Sequence, residues 1–253
     1  VKEPIAVQEW VRPVQCGSTN DVAFAWLERF NLVGVYCTQQ RSGRGSKGRE
    51  WFTPPETALA FSLGLVIEAK APWPHPSRFP YPLAAGVAVC RLVETYAPHA
   101  PPKLKWPNDV YIQGGKICGI LCESRLQGAR CALVLGMGIN LRNHPSFQQL
   151  GRPLAFLEDW TPLPEPRELA ATLAKELLAL ANDPASSQAL RDAWQRWSML
   201  KPGQRLCLRA EGRQLTGSYL GLDENGCLLI ETEQGPQRIL ESCGDFVLEE
   251  PCC

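Results

Sequence analysis

Four short apolar runs, at about residues 103–106, 109–113, 116–124 and 131–136, follow one another with only a few turn residues between them. Gly114-Gly115 and Gln127-Gly128 fall at two of these junctions. Glycine adopts the positive φ angles that two-residue turns require, so the runs are predicted to be strands joined by tight hairpins. Such a succession commits the middle of the chain to a β-sheet, on which the flanking helices must pack.

Val33 to Cys37 and Leu59 to Ile67 are two earlier strand candidates. Ser18-Thr19-Asn20-Asp21 offers several N-cap residues ahead of VAFAWLERF, in which Val22, Trp26 and Phe30 recur every four residues. A helix is therefore predicted to begin near Thr19 or Asn20. Pro82 suits the first turn of a second helix running to about Tyr96, after a proline-rich loop over 72–80. Leu169, Leu173, Leu177 and Leu180 mark a third, amphipathic helix, and Leu190, Trp194 and Trp197 a fourth. After Lys201-Pro202-Gly203 the texture changes. RLCLRA, QLTGSYLGL, CLLIETE, QRIL and FVLEE are short strands separated by EGR, DENG and EQG turns, the pattern of a small, partly open β-barrel. The prediction is an α+β chain in two parts, a mixed-sheet domain over 1–200 and a mini-barrel over 201–253.

With 26 acidic and 26 basic residues the net charge is zero, so any cationic function must be local. No apolar run reaches the ~18 residues that mark a membrane span. The opening VKEPIAVQEWVRP lacks the apolar core of a secretory signal. The 11 cysteines are scattered, and Cys118, Cys122, Cys131 and Cys207 sit inside apolar runs, where cysteine behaves as a small hydrophobe. No CxxC pair or Cys/His spacing suggests zinc. An odd count without an export signal favours a reducing, cytoplasmic setting.

The most chemical segment is Gln40 to Trp51, with cations at Arg41, Arg44, Lys47 and Arg49 and glycines at 43, 45 and 48. Glycines let backbone N–H groups close around an anion, and arginine forks add bidentate donors. The same residues also suit a solvated hairpin tip. A Walker-type phosphate loop shares the Gly43 to Gly48 spacing, but Pro54-Pro55 denies the helix that such a loop must enter. Lys105-Trp106-Pro107-Asn108-Asp109 joins two strands through an extended, turn-rich connection. Lys116 opens the next strand, either as a solvated edge residue or as a catalytic cation. Gly136 and Gly138, in Gly136-Met137-Gly138-Ile139-Asn140, mark a close backbone approach or a bulge.

In this order the blocks Gly-Ser-Thr-Asn at 17–20, Gly-Arg-Gly-x-x-Gly-Arg-x-Trp at 43–51, Lys-Trp-Pro-Asn-Asp at 105–109, Gly-Lys-Ile-x-Gly-Ile-Leu-x-Glu at 115–123 and Gly-x-Gly-Ile-Asn at 136–140 resemble the biotin–protein ligase family. The resemblance implies a catalytic domain similar to class II aminoacyl-tRNA synthetases and an SH3-like C-terminal barrel. It implies biotin contacts at Ser18, Thr19, Asn20, Gln40, Arg44, Gly45, Ser46, Lys116, Gly119, Gly136 and Gly138. ATP contacts would fall on Arg44, Arg49, Trp51, Lys105, Asn108, Asp109, Lys116 and Asn140, with Trp51 stacked on adenine and Asp109 helping to hold Mg²⁺. Lys116, Arg44 and Lys105 would be the catalytic cations. Several bacterial relatives carry a second arginine in the glycine-rich loop where this chain has Ser46, flanked by Lys47. Only 17 residues precede the Ser-Thr-Asn block, too few for the helix-turn-helix domain of bifunctional relatives, so DNA binding is not expected.

The reaction implied begins with biotin carboxylate attacking the α-phosphorus of ATP, which yields biotinyl-adenylate and pyrophosphate. A lysine of a carrier, for the family the biotin carboxyl carrier protein of acetyl-CoA carboxylase, then displaces AMP. Two anions must meet in the first step, so a dry cluster of cations is required. The glycine-rich loop, carrying like charges, is expected to be mobile until an anion arrives. A lipoate or octanoate transferase would need an Arg-rich triple-glycine stretch, which the chain lacks. A non-catalytic binding module would leave the five ordered blocks unexplained. A homodimer is left open.

Overall fold

Alternation along one long strand divides the molecule into two faces. The structure, a computed structural model, describes residues 6–68, 70–77, 79–182, 186–210, 213–240 and 245–248. Its elements are β1 (Glu9–Val11), α1 (Thr19–Trp26), β2 (Leu32–Cys37), β3 (Ala58–Ile67), α2 (Tyr81–Tyr96), β4 (Pro102–Lys105), β5 (Asp109–Ile112), β6 (Gly115–Gln127), β7 (Arg130–Asn140), α3 (Pro166–Asn182) and α4 (Ser186–Trp197). Then come β8 (Arg205–Ala210), β9 (Arg213–Leu222), β10 (Leu228–Thr232), β11 (Gly235–Ile239) and β12 (Asp245–Leu248). The first seven strands form one sheet in the order β1-β2-β3-β7-β6-β5-β4. Only β1 and β2 pair in parallel within it, so the sheet is mixed and the fold is α+β.

Phe61, Leu63 and Leu65 of β3 and Leu133, Leu135, Met137 and Ile139 of β7 point to one face, into the core shared with α2 and α3. The intervening residues Val66, Ala132 and Val134, with Val33 and Val35 of β2, point to the other and pack against Ala23 and Phe24 of α1 and its C-cap Leu27. Helix α1 starts where the N-cap chemistry predicts, because the Ser18 Oγ accepts the Asn20 N–H at 3.3 Å. Burying Phe24 and Leu27 stabilises the helix by about 1.5–3 kcal/mol each.

Gly114 supplies the hairpin turn between β5 and β6 at φ +84. The two central strands run longer than the sequence suggests, since β7 pairs with β3 over its length from Cys131 to Asn140. Strand β1 was not predicted; three residues are too few to display an alternation. A second, five-stranded antiparallel sheet follows in the order β11-β10-β9-β8-β12, matching the five predicted C-terminal strands. Glu211 and Gly212 of the predicted EGR turn, and Glu249 and Glu250 of FVLEE, lie outside the described residues. Leu206, Leu208, Tyr219, Leu228 and Ile230 extend the main core into this sheet, and the Trp106 indole donates to the Gly226 carbonyl at 3.2 Å. Among the described residues no helix is long and apolar enough to cross a membrane.

Candidate active site

Beyond the end of α1 the same sheet face carries small residues instead of valines. Ala60, Gly138, Gly119 and Asp109 are consecutive cross-strand partners, as are Ser62, Gly136 and Leu121 in the next row. Removing side chains from the centre of a sheet leaves a concavity, here a cleft walled by α1, the glycine-rich segment and the β5–β6 edge.

The N-terminus of α1 forms one wall. Thr19 is buried, and its backbone N–H and Oγ1 both donate to Gln40 Oε1, at 2.8 and 3.2 Å. Ser62 Oγ lies 2.7 Å from Thr19 Oγ1 and 2.6 Å from Asn20 Oδ1. Asn20 Nδ2 donates to Glu123 Oε2 at 2.6 Å. A Cβ on Gly136 would sit 2.4 Å from Asn20 Oδ1, so glycine is what lets this amide lie on the sheet. Sequence reasoning missed Ser62, although a lone hydroxyl inside the apolar run ALAFSLGLVI was a visible signal.

The glycine-rich segment covers the cleft as a folded flap. Gly45 N–H donates to Arg49 O at 2.7 Å and Trp51 N–H to Gly43 O at 2.8 Å, around a short turn at Ser46–Gly48 with Lys47 at φ 60. Carboxylates engage one of its cations, Arg44. Arg44 forks onto Asp21 at 2.7 and 2.8 Å and reaches Glu123 at 3.1 Å, which holds the Asp21 carboxyl below its usual range. Arg49 donates to the Ser46 carbonyl and hydroxyl at 3.2 and 3.1 Å. The Trp51 ring lies on the glycine floor: Cβ atoms on Gly138 and Gly119 would stand 2.3 and 2.8 Å from it. Its Nε1 is buried with no hydrogen-bond partner among the described residues. The ring expected to stack on adenine is thus seated among residues expected to contact biotin.

Lys116 owes its direction to a β-bulge. The register between β5 and β6 shifts between Val110 and Tyr111, so Ile117 and Cys118 both turn into the core. Lys116 and Gly119 are then left on the cleft face together. The Lys116 Nζ donates to Asp109 Oδ1 at 2.5 Å and lies 5.7 Å from the Trp51 ring centre. Burial pulls the Lys116 ammonium below its ordinary pKa, and the Asp109 carboxylate opposes that pull. Asn108 is also buried at the cleft, its amide donating to the Ile120 carbonyl at 2.8 Å.

Two predicted residues are not among those lining the cleft. Lys105 continues the cleft row as the cross-strand partner of Asp109 on the outermost strand, with its ammonium 5.8 Å from the Tyr111 ring centre. Asn140 is buried and donates to the Lys116 backbone carbonyl at 2.9 Å, which ties the end of β7 to the start of β6. Ser18, Thr19, Asn20, Gln40, Arg44, Gly45, Ser46, Arg49, Trp51, Asn108, Asp109, Lys116, Gly119, Gly136 and Gly138 do come together around it. Arg152 joins them without a signal in the sequence. It is carried there because Lys116 N–H donates to Pro153 O at 3.1 Å and Ala155 N–H to Lys116 O at 3.0 Å.

Comparison with known proteins is consistent with this geometry. The model of the Biotin/lipoate A/B protein ligase family matches residues 18–140. A biotin--[acetyl-CoA-carboxylase] ligase of Mycobacterium tuberculosis is 30% identical over 241 residues, covering 92% of this chain and 86% of that protein. One from Paracoccus denitrificans is 28% identical, covering 81% and 86%. The structure of an Aquifex aeolicus biotin protein ligase in complex with biotin and ATP superposes with a TM-score of 0.74 at 25% identity, covering 96% of this chain and 100% of that one.

Proposed function

The chain belongs to the biotin protein ligase family, and from that membership we propose that the cleft joins biotin to ATP and passes the biotinyl group to a carrier lysine. The observation that carries this reading is the convergence of Lys116, Arg44, Arg49 and Arg152 on one cleft whose floor is glycine.

Biotin's neutral ureido ring suits the hydroxyl and amide wall of Ser18, Thr19, Asn20 and Gln40, which Ser62 braces from behind, and its apolar portion suits Trp51 and the glycine floor. A site built of such partners rejects analogues that would leave its own polar atoms unpaired. The orphaned Trp51 Nε1 gives an arriving ligand one buried donor to satisfy.

The carboxylate then attacks the α-phosphorus of ATP, a P–O bond forms, and pyrophosphate leaves with the electrons of the broken bond. Lys116, buried at 7% exposure, bridges the attacking carboxylate and the α-phosphate. Its charge there is screened little by water, which strengthens the attraction. Arg49 and Arg152 neutralise phosphate oxygens, and Arg44 joins them by exchanging its Asp21 and Glu123 partners for phosphate. In the second half-reaction the neutral carrier amine attacks the acyl carbon, AMP departs, and the amide holds.

Among the described residues no group of three or more His, Cys, Asp or Glu could cage a metal. The Asp109 carboxylate at the cleft suits Mg²⁺ carried by the nucleotide, which needs only one or two protein carboxylates. Asp109 would hold it, and the ion would neutralise phosphate charge. Labelled-biotin transfer to a purified biotin carboxyl carrier domain tests the proposal. Transfer that requires ATP is expected, and ATP-independent labelling or none at all would reject it.

A further inference from the structure

Two thiols outside the catalytic cluster meet behind its polar wall. Cys16 and Cys37 are brought together by the backbone, because Cys16 forms a parallel bridge with Gln40, three residues beyond Cys37. They also converge on one carbonyl: Gln39 O accepts the Cys16 N–H at 3.3 Å and lies 3.0 Å from the Cys37 Sγ. Cys16 is half-buried and Cys37 buried, so small solutes approach the pair from the Cys16 side. Each cysteine lies three positions ahead of a residue of the cleft wall, Cys16 before Thr19 and Cys37 before Gln40, and those two residues bond to each other at 2.8 Å. Cys16 O accepts the Arg41 N–H at 2.9 Å and Gly17 O the Ser42 N–H at 3.0 Å, so the two segments are coupled by backbone.

We propose that Cys16 and Cys37 form a reversible disulfide on exposure to peroxide, and that this modification weakens binding at the adjoining cleft wall. In the first step a Cys37 thiolate attacks one peroxide oxygen, the O–O bond breaks, and a sulfenic acid and one water result once the departing hydroxide is protonated. The Cys16 sulfur then attacks the Cys37 sulfur, the S–O bond breaks, and a second water leaves with the Cys16 proton. Two thiols are oxidised by two electrons and one hydrogen peroxide is reduced to two waters.

Reactivity favours this pair over the core thiols Cys90 and Cys118. The Cys16 thiol and the Gln39 N–H, 3.3 Å from Cys37 Sγ, stabilise the Cys37 thiolate and lower its pKa to about 6. Cys90 and Cys118, fully buried in the main core, are pushed the opposite way by burial and serve as internal controls. The two sulfurs must close to about 2.05 Å to form the bond. That closure drags the Gly17–Thr19 segment against Gln39–Gln40. Displacements near 1 Å at a preorganised site cost on the order of 10²-fold, and a fall in biotin affinity of ~10-fold or more is expected. The functional consequence rests on the proposed biotin site; the disulfide itself does not.

The test treats the reduced full chain with hydrogen peroxide, alkylates remaining thiols, and maps peptides by mass spectrometry without reduction. A Cys16–Cys37 linked peptide is expected, with Cys90 and Cys118 alkylated once the chain is unfolded. Biotin affinity by calorimetry should fall on oxidation, recover with dithiothreitol, and be indifferent to peroxide in Cys16→Ser and, as a second variant, Cys37→Ala. Recovery of both cysteines alkylated, or linked elsewhere, overturns the proposal, as does a linked protein that binds biotin as tightly as the reduced one. A reduced protein that fails to bind biotin would instead strike the proposed function, while the linked peptide would still be read by mass.

Discussion

Lys116 Nζ and Asp109 Oδ1 stand 2.5 Å apart in a nearly dry ion pair, with side chains 9% and 18% exposed. The pair joins neighbouring strands at the cleft, and a bulge in β6 is what turns the lysine toward the aspartate. Breaking such a pair from one side leaves an uncompensated buried charge, at a cost of about 3–5 kcal/mol unless the group neutralises.

Neutralisation gives the first prediction. Burial already lowers the Lys116 pKa from 10.5, and Asp109 holds it up. Asp109→Asn should therefore move the alkaline loss of adenylate formation to lower pH, because the ammonium is needed and is lost sooner. Biotin-dependent pyrophosphate exchange measured from about pH 6 to 10 reads this; coincident alkaline limbs would contradict it. The stability sign is opposite to that of a lysine whose pKa is raised. The unfolded lysine keeps its proton up to 10.5 while the folded one releases it earlier. The burial penalty is thus full below the folded pKa and is relieved as pH rises through it.

Gly138→Ala tests the floor of the cleft. A Cβ there would stand 2.3 Å from the Trp51 ring, so the indole must lift. The biotin KM should rise ~10-fold or more, since a methyl-sized intrusion into a packed site costs about 1–3 kcal/mol. Circular dichroism should remain native, because the side chain enters the cleft and not the core. An unchanged KM would show that ligand does not reach this floor.

Ser46→Arg tests the departure in the flap. Ser46 lines the cleft and accepts from Arg49, and an arginine would add one charge-assisted contact to a bound adenylate. Contacts of that kind contribute about 1.5–3 kcal/mol. Adenylate release without acceptor should slow ~10-fold or more in a chase experiment, and an equal or faster release would remove the assignment.

The flap's hold should also be measurable. Replacing both Asp21 and Glu123 by their amides removes the partners of Arg44 and should expose the flap to trypsin. Exposed pairs are worth no more than about 1 kcal/mol each, so cleavage should accelerate ~5-fold or more without loss of global stability. Biotin plus ATP should restore protection. Cleavage at the wild-type rate would mean that other contacts hold the flap.

The parts legible in the sequence are those governed by local rules. Ser18 as a cap, Gly114 in a turn, and the leucine spacing of α3 each announce their role within a few residues. The cleft was legible through Gly136 and Gly138, because glycines in a strand signal close approach. What stayed hidden depends on registration across strands. Simple alternation would turn Lys116 inward with Ile120, and only the bulge reverses it. Lys105 and Asn140 belong to the same motifs as their neighbours, yet one stands on the outermost strand and the other is bonded to the Lys116 carbonyl. Arg152 arrives on a segment whose course is fixed by backbone bonds to Lys116, which no side-chain pattern encodes.

Biotin-dependent exchange of labelled pyrophosphate into ATP by Lys116→Met, at a pH where the wild type is fully active, tests the account most directly. A folded variant whose exchange falls ~10²-fold or more, the scale of losing a transition-state donor, is the predicted result. Exchange within a few-fold of wild type would contradict the assignment of Lys116 as the bridge between carboxylate and phosphate.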